Sequence, residues 1–395
     1  MDLSFTEEQQ ELREAARAFL RDHGGSAQVR AAMATPAGHD PEVWKRIGTE
    51  LGWPALPVAE AHGGLGLGMV ELVALQEVIG EFLLPSPFFA TACLAVPLIQ
   101  EAATPRQQAA LLPGIAEGST RATLAFPGPC GYFDARGVEV LAHPARGGVE
   151  LEGELPLVLD GHTADLLLVP AREPGSRGAQ GVGIYVVRAG TRGLERTPLP
   201  TMDQTRRGAR VRLDRVAVGA GERLGAGASE GPAGFPALSR ALDRAAIALA
   251  AEQIGGAQRA LDLAVAHARE RVQFGRPIGS FQAIKHKCAD RMVEIESARS
   301  AVYHAACVAA EGVDGTEGLR LAASLAKARA SEAFFRAAAD CLQIHGGVGF
   351  TWEYDVHLLL KRARATEGFL GSPAFHRERV ARHLLGPAPA AEGVL

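Results

Sequence analysis

Arg271, Gln273 and Phe274 open the run RVQFGRPIGSFQAIKHKCAD, which extends to Asp290 and carries Phe281 and Gln282 at its middle. An arginine presents a rigid fork of donors suited to phosphate oxygens and keeps its charge at any working pH. Gln282 adds a side chain that both donates and accepts, while Phe274 suits a core or a flat ligand equally well. A second run, QIHGGVGFTWEYDVHLLLKRA from Gln343 to Ala363, sets Gly346, Gly347 and Gly349 behind Gln343. Glycines there permit close backbone approach and left-handed angles. They equally fit a plain helix stop before a new helix capped at Thr351. The carboxylates that could move a proton are Glu367, in Ala365-Thr366-Glu367-Gly368-Phe369, and Asp243 in an alanine-rich stretch. His267, His286 and His345 have no metal-ligand spacing, and no metal site is expected.

Three kinds of segment must position these residues. From Thr6 to about residue 115 the pattern is helical. Thr6 with Gln9 makes a capping box, and Leu12, Ala16, Phe19 and Leu20 recur at helical spacing. Gly52, Pro54 and Pro57 break the next segment, and Glu71 to Leu84 predicts another helix. From about 120 to 220 short apolar runs alternate with Gly, Pro and charged residues, among them Thr123–Phe126, Leu157–Leu159, Leu166–Val169 and Ile184–Val187. That pattern predicts an antiparallel β domain. Gly219 to Pro236 predicts a linker. Ala241–Arg271, Phe281–Glu311 and Gly318–His345 are long and nearly free of breakers, and a fourth helix follows Gly349; such lengths suit an antiparallel bundle. The fold class is therefore α+β and multi-domain: an all-α domain over 1–119, a β-barrel-like domain over 120–225, a four-helix bundle over 226–386 and a disordered tail over 387–395.

Composition narrows the function class. The chain has 395 residues, 47% hydrophobic and 22% charged, with net charge -4. That is ordinary for a soluble globular protein, and long enough for two or three domains. Acids match bases and no Lys/Arg run stands out, so nucleic acid is not an expected partner. Neither a signal peptide nor an apolar stretch of about 18 residues is present, so no membrane is expected. Cys93, Cys130, Cys288, Cys307 and Cys341 are odd in number and scattered, which favours a reducing cytoplasm over a disulfide framework.

The block from Arg271 to Gln282 resembles the R-x-x-F-G-x-P-x-x-x-F-Q signature of the acyl-CoA dehydrogenase superfamily. The Gln343–Gly349 segment resembles that family's Q-x-x-G-G-x-G element, and LGWPALPVAEAHGGLGLG resembles its N-terminal domain. The resemblance runs along essentially the whole chain. It implies the order of α domain, β domain and four-helix bundle, and FAD as cofactor. Arg271, Gln273, Phe274 and Gln282 would meet the flavin, with Arg271 on its pyrophosphate; Gln343, Gly346 and Gly347 would meet its adenosine half across a subunit interface. The implied reaction is α,β-dehydrogenation of an acyl-CoA, in which a carboxylate removes the α-proton and hydride leaves the β-carbon for flavin N5. Implied partners are an electron-accepting flavoprotein and further subunits: a homo-oligomer (dimer or tetramer), or a heterotetramer with a homologous subunit. Within the family the chain resembles a divergent bacterial branch that includes steroid side-chain enzymes.

Two parts depart from the family pattern. Where relatives carry T-E-P-x-x-G-S-D, this chain has Leu124-Ala125-Phe126-Pro127-Gly128-Pro129-Cys130-Gly131. The tryptophan element that covers the flavin appears as Leu157-Val158-Leu159-Asp160-Gly161. The base stays open among Glu367, whose Glu-Gly resembles the family's Y-E-G-T, then Asp243, then no base in this subunit. A catalytically silent partner subunit and a flavin oxidase or monooxygenase on the same fold are the alternative functions.

Overall fold

The computed structural model describes residues 5–226, 234–312 and 315–386. Residues 227–233 of the segment predicted as a linker, and the tail predicted to be disordered, lie outside the described residues.

The first helix, α1 (Glu7–His23), starts where its cap dictates: Thr6 Oγ1 accepts from Gln9 N at 3.3 Å, and Gln9 Oε1 accepts from Thr6 N at 3.0 Å. Then come α2 (Ser26–Ala34), α3 (Pro41–Thr49), capped by Asp40, and α4 (Met69–Phe82). A π-helical turn at Phe89–Ala95 leads into α5 (Val96–Ala102) and α6 (Pro105–Ala116). Ten of the 14 residues of α4 are buried because α1, α7 and α8 pack around it.

Seven strands among the described residues form one curled sheet: β1 (Ala122–Leu124), β2 (Leu141–Ala145), β3 (Gly148–Leu159), β4 (Leu166–Arg172), β5 (Val182–Arg188), β6 (Leu194–Pro198) and β7 (Gly208–Gly219). Their order is β1-β4-β2-β3-β7-β6, with β5 also paired to β4. The expected antiparallel domain needs a correction, because β1 and β2 both pair with β4 in parallel. Hairpin turns, which sequence patterns reveal, do make β2–β3, β4–β5 and β6–β7 antiparallel. The parallel contacts join strands that are not neighbours in the chain, and no local pattern encodes them. In β4, Leu167 and Val169 pack inside the curl, while Leu166 and Leu168 face the helical core. A strand covered on both faces reads as a continuous apolar run.

The C-terminal region is a bundle of α7 (Phe235–Glu270), α8 (Gln282–Glu311), α9 (Gly315–His345) and α10 (Val356–Gly368). A small hairpin, β8 (Val272–Gln273) with β9 (Arg276–Pro277), joins α7 to α8. The fourth helix begins at Val356, after a short 3-10 turn at Gly346–Phe350, and not at the Thr351 cap. A further helix, α11 (Pro373–Leu385), packs on α9 and extends the predicted four-helix bundle. Its start is local: Ser372 Oγ accepts from Phe375 N at 3.2 Å, and Pro373 suits the first turn. Contact of α4 with α7 is unusually close. A Cβ at Gly80 would meet Glu252 O at 2.0 Å, and one at Gly255 would meet Glu77 O at 1.8 Å.

Candidate active site

The end of α10 meets the curled sheet, and two cavities flank the junction. The first, of about 430 Å³, is walled by Pro127 and Gly128 after β1, Leu157 and Leu159 of β3, Met202 between β6 and β7, and Thr366, Gly368 and Phe369 at the end of α10. Its wall is predominantly apolar. Asp203 also reaches it, but that carboxylate is taken up by Arg362 Nε at 2.7 Å and by the Thr205 hydroxyl at 2.5 Å. The second, of about 390 Å³, is lined by Asp243 of α7, Arg320 of α9, and Leu370, His376, Arg379, Arg382 and His383 around α11.

Phe133 belongs to both walls. Its ring stands edge-on to Phe126 at 5.9 Å and to Phe369 at 5.8 Å, and Phe369 stands edge-on to Phe89 at 6.3 Å. Edge-to-face contacts of this kind add to burial, so the four rings make a firm partition beside an apolar cavity and a charged one. A third, apolar groove of about 560 Å³ shares Met202 and Arg364 with the first cavity. It runs past Phe335 and Leu342 to Phe350 and Trp352, just beyond the Gly346 turn.

Beneath the first cavity lies a cluster of buried charges. Arg362 donates to Asp203, to Thr205 and to Glu252, and Arg206 donates to the other oxygen of Glu252. Burial would raise the Glu252 carboxyl, but Arg206 and Arg362 outweigh it and hold it below the usual range. Asp160, buried close by, goes the other way: burial pushes it up to about 7 against the pull of Arg206, Arg362 and Arg121. In the second cavity burial raises Asp243, opposed by Arg379 at 2.7 Å. His376 is pulled down to about 3 by burial and by the neighbouring charges of Lys327 and Arg379, which keeps it neutral at working pH.

Glu367 sits on the last turn of α10, with its side chain 23% exposed and its carboxylate bound to Arg364. Thr366 and Gly368 on either side of it reach the first cavity, while the carboxylate turns to Arg364. The segments Leu124–Gly131 and Leu157–Gly161 do supply walls of that cavity, through Pro127, Gly128, Leu157 and Leu159. Arg271, Gln273, Phe274 and Gln282 form an exposed patch at the far end of α7. Phe274 is 90% exposed and adopts φ 53, and Gln273 Nε2 donates to Val272 O at 2.9 Å. Gln343, Gly346 and Gly347 are exposed as well. The rings of His267 and His345 stack at 4.2 Å, so both motifs emerge at the same end of the bundle. That end is distant from the first two cavities: at 1.5 Å per residue, the part of α9 from Lys327, which touches the end of α10, to His345 is about 27 Å long.

Sequence reasoning missed Phe133 and Phe369, the charge cluster, and Lys327. For Lys327 a signal was available: in the alanine-rich stretch LAASLAKARAS it shares a helix face with Ala323, Ser324, Ala330 and Ser331, where only a buried partner set makes a lysine tenable. No cluster of His, Cys, Asp and Glu suited to a metal occurs among the described residues, and no described helix is long and apolar enough to cross a membrane. All five cysteines are free.

Comparison with known proteins gives concordant matches. The family model "Acyl-CoA dehydrogenase, N-terminal domain" matches residues 6–119, and "Acyl-CoA dehydrogenase, C-terminal domain" matches residues 232–385. The acyl-CoA dehydrogenase IpdE2 of Mycobacterium tuberculosis is 35% identical over 93% of this chain and 94% of its own length. Among solved structures, the Tcur3481-Tcur3483 steroid ACAD G363A variant superposes with TM-score 0.83 at 32% identity, covering 96% of this chain and 98% of that one. The ChsE4-ChsE5 complex from Mycobacterium tuberculosis does so with TM-score 0.87 at 27% identity, covering 98% and 100%.

Proposed function

The chain belongs to the acyl-CoA dehydrogenase family, a family of oxidoreductases, and we propose that it oxidises an acyl-CoA between its α and β carbons with FAD as cofactor. The observation that carries this proposal is the partition at Phe133, with an apolar cavity on one side and, on the other, a charged one lined by Asp243 and Glu317 as well as by Arg320, Arg379 and Arg382. An acyl-CoA has that same division. Its acyl group needs dry, apolar walls, and its phosphate-bearing arm needs cations; Arg320 and Arg382 would supply them by exchanging Glu317 and Glu378 for phosphate. Likeness to an enzyme described as acting on a steroid supports a bulky, ring-bearing acyl group.

The residues present fit FAD. The first cavity shares Met202 and Arg364 with the apolar groove, and the two together suit an extended cofactor with a flat ring at one end. At Gly347 neither a positive φ nor packing within the chain calls for glycine: a Cβ there would meet nothing within 4 Å. The open face suits close approach of another molecule. Arg271 and Gln273 would hold the pyrophosphate, Phe274 and Gln282 would lie against the cofactor, and Gln343, Gly346 and Gly347 would hold the adenosine half. Their distance from the first cavity supports service to a flavin seated in a neighbouring subunit, and hence an oligomer. That oligomer is a dimer or tetramer of this chain, or a heterotetramer with a homologous subunit, and the likeness to a structure described as a complex of ChsE4 with ChsE5 supports a mixed assembly. FAD, when bound, supplies the two-electron acceptor for hydride leaving the β-carbon, and an electron-accepting flavoprotein would reoxidise it.

Glu367 is the proposed base, because its chain neighbours Thr366 and Gly368 line the apolar cavity. To take a proton its carboxylate must leave Arg364. Asp243 ranks behind it, being bound to Arg379 on the charged side. Five free cysteines support a reducing cytoplasm as the setting. The test is anaerobic addition of acyl-CoAs to the purified flavoprotein. Bleaching of the flavin that Glu367→Gln abolishes is expected; bleaching that survives it would reject Glu367.

A second reading rests on a specific observation: among the described residues, the one carboxylate lining the apolar cavity, Asp203, is bound by Arg362 and Thr205. A subunit with no free base at its cavity would complete the flavin site of a homologous partner. On that reading the chain alone bleaches with no acyl-CoA, and mixing it with the partner restores activity.

A further inference from the structure

Lys327 stands in the middle of α9 with no exposed surface, and its amine reaches four oxygen acceptors. Nζ donates to Ser331 Oγ at 2.8 Å, to Thr366 O at 3.1 Å, to Glu367 O at 3.2 Å and to Gly371 O at 3.4 Å. Three N–H groups serve these four oxygens, so the longest contact is shared. The last carbonyls of a helix have no partner within it, and here Lys327 supplies two of them at the end of α10. The contacts also close a circuit through three helices. Ser331 Oγ donates to Gln253 Oε1 at 3.1 Å, Gln253 Nε2 donates to Thr366 Oγ1 at 3.1 Å, and Thr366 Oγ1 donates back to Arg362 O at 2.8 Å.

The segment held this way is the turn that carries the site. Thr366, Gly368 and Phe369 wall the apolar cavity, and Leu370 walls the charged one. The turn reverses through two left-handed residues, Leu370 at φ 60 and Gly371 at φ 104. A leucine adopts that conformation only when its surroundings impose it. Two buried donors flank it: Lys327 on Gly371 O, and His376 Nε2 on Leu370 O at 3.0 Å.

We propose that Lys327 is the positioning residue of the active site, fixing the 366–371 turn and through it the wall of both cavities and the aim of Glu367. The last part rests on Glu367 as the base; the first two do not. A lysine that only filled space in the bundle would be replaceable by methionine, which has nearly the same length and no donors. Lys327→Met therefore separates the two roles.

The experiment compares wild type, Lys327→Met and Glu367→Gln as full-length flavoproteins, by hydrogen exchange resolved to the 366–371 segment and by turnover. Lys327→Met is expected to raise exchange in that segment at least about tenfold while α9 stays protected. It is also expected to lower kcat about 100-fold, the scale of a small misplacement of a reacting group, with KM changed far less. Wild-type exchange in the turn would overturn the proposal. Should Lys327→Met not fold, Lys327→Gln, which keeps a donor there, is measured the same way; failure of both to fold would make Lys327 a residue of the fold alone and overturn the proposal equally. Glu367→Gln is expected to lose turnover with the turn still protected. Full turnover by Glu367→Gln would reject Glu367 as base and leave the exchange result to judge Lys327.

Discussion

Arg362 Nη1 lies 2.7 Å from Glu252 Oε1, and both side chains are 1% exposed. The pair joins α10 to α7 out of reach of water, and Asp203, 2.7 Å from Arg362 Nε, extends it to the loop between β6 and β7. Each cation in the cluster faces a carboxylate, so bundle and sheet are held in register by charges that cannot be removed singly without leaving another exposed to a low dielectric. The apolar cavity rests on this cluster through Asp203 and Arg206.

Arg362→Met tests that register. It leaves Asp203 with only the Thr205 hydroxyl and backbone, and Glu252 with Arg206 alone. Removing one partner from a buried pair costs about 3–5 kcal/mol. Urea denaturation is expected to give a loss of that size, and a loss below about 1 kcal/mol would mean that water already reaches the cluster.

Asp160 gives a pH signature of known sign. Its folded-state value of about 7 lies above the ordinary 3.8, because burial disfavours the charge. Between those values the folded chain holds a proton that the unfolded chain has released, so the contribution of Asp160 to stability falls as pH rises through that window. Asp160 also has φ 50, which asparagine tolerates. Asp160→Asn is expected to match wild type at about pH 4 and to be more stable at pH 8 by a few kcal/mol, on the order set by the shift. Denaturation midpoints at both pH values decide it, and a difference that does not change with pH would refute the assignment.

What was legible in the sequence follows the range of the interaction. The Thr6–Gln9 box and the long helices were readable because caps and periodicity act within a few residues. Parallel pairing of β1 with β4, residues 122–124 against 166–168, was not, since it joins strands far apart in the chain. The helix at Pro373 has an ordinary start signal in Ser372 and Pro373 but no apolar stripe to mark its length, since only Pro373 and His376 are buried. At the site, the motif residues are exposed and carry their meaning in local spacing, whereas Lys327, Glu252 and Arg362 acquire theirs only when α7, α9 and α10 come together.

The α4–α7 crossing predicts intolerance at Gly255. A Cβ there would lie 1.8 Å from Glu77 O, a backbone atom that cannot move without shifting α4. Gly255→Ala is expected to cost about 1–3 kcal/mol or more, as overpacking does, even though alanine is the better helix former. Thermal or urea denaturation measures it. An unchanged or raised stability would mean that the two helices separate easily, and that the close approach is not needed to bring Glu252 to Arg362.

Arg271 separates cofactor binding from folding. Its side chain is exposed and forms no ion pair among the described residues, so Arg271→Ala is expected to change stability by no more than about 0.5 kcal/mol. If its guanidinium meets a pyrophosphate, the same change should sharply lower the flavin retained through purification, read as the ratio of visible to ultraviolet absorbance. Arg271→Lys should recover only part of it, because an ammonium keeps the charge but not the paired donors. Gln343→Ala, on α9 at the same end of the bundle, should lower retention in the same assay. The two losses should appear even where the apolar cavity is intact, because the stretch of α9 between them and the cavity is about 27 Å. In a mixed oligomer formed from Arg271→Ala and wild-type chains, the defect would then belong to the flavin of the neighbouring subunit. Normal flavin content in the Arg271→Ala protein would remove the arginine from the cofactor site and leave the hairpin of β8 and β9 as a plain connection between α7 and α8.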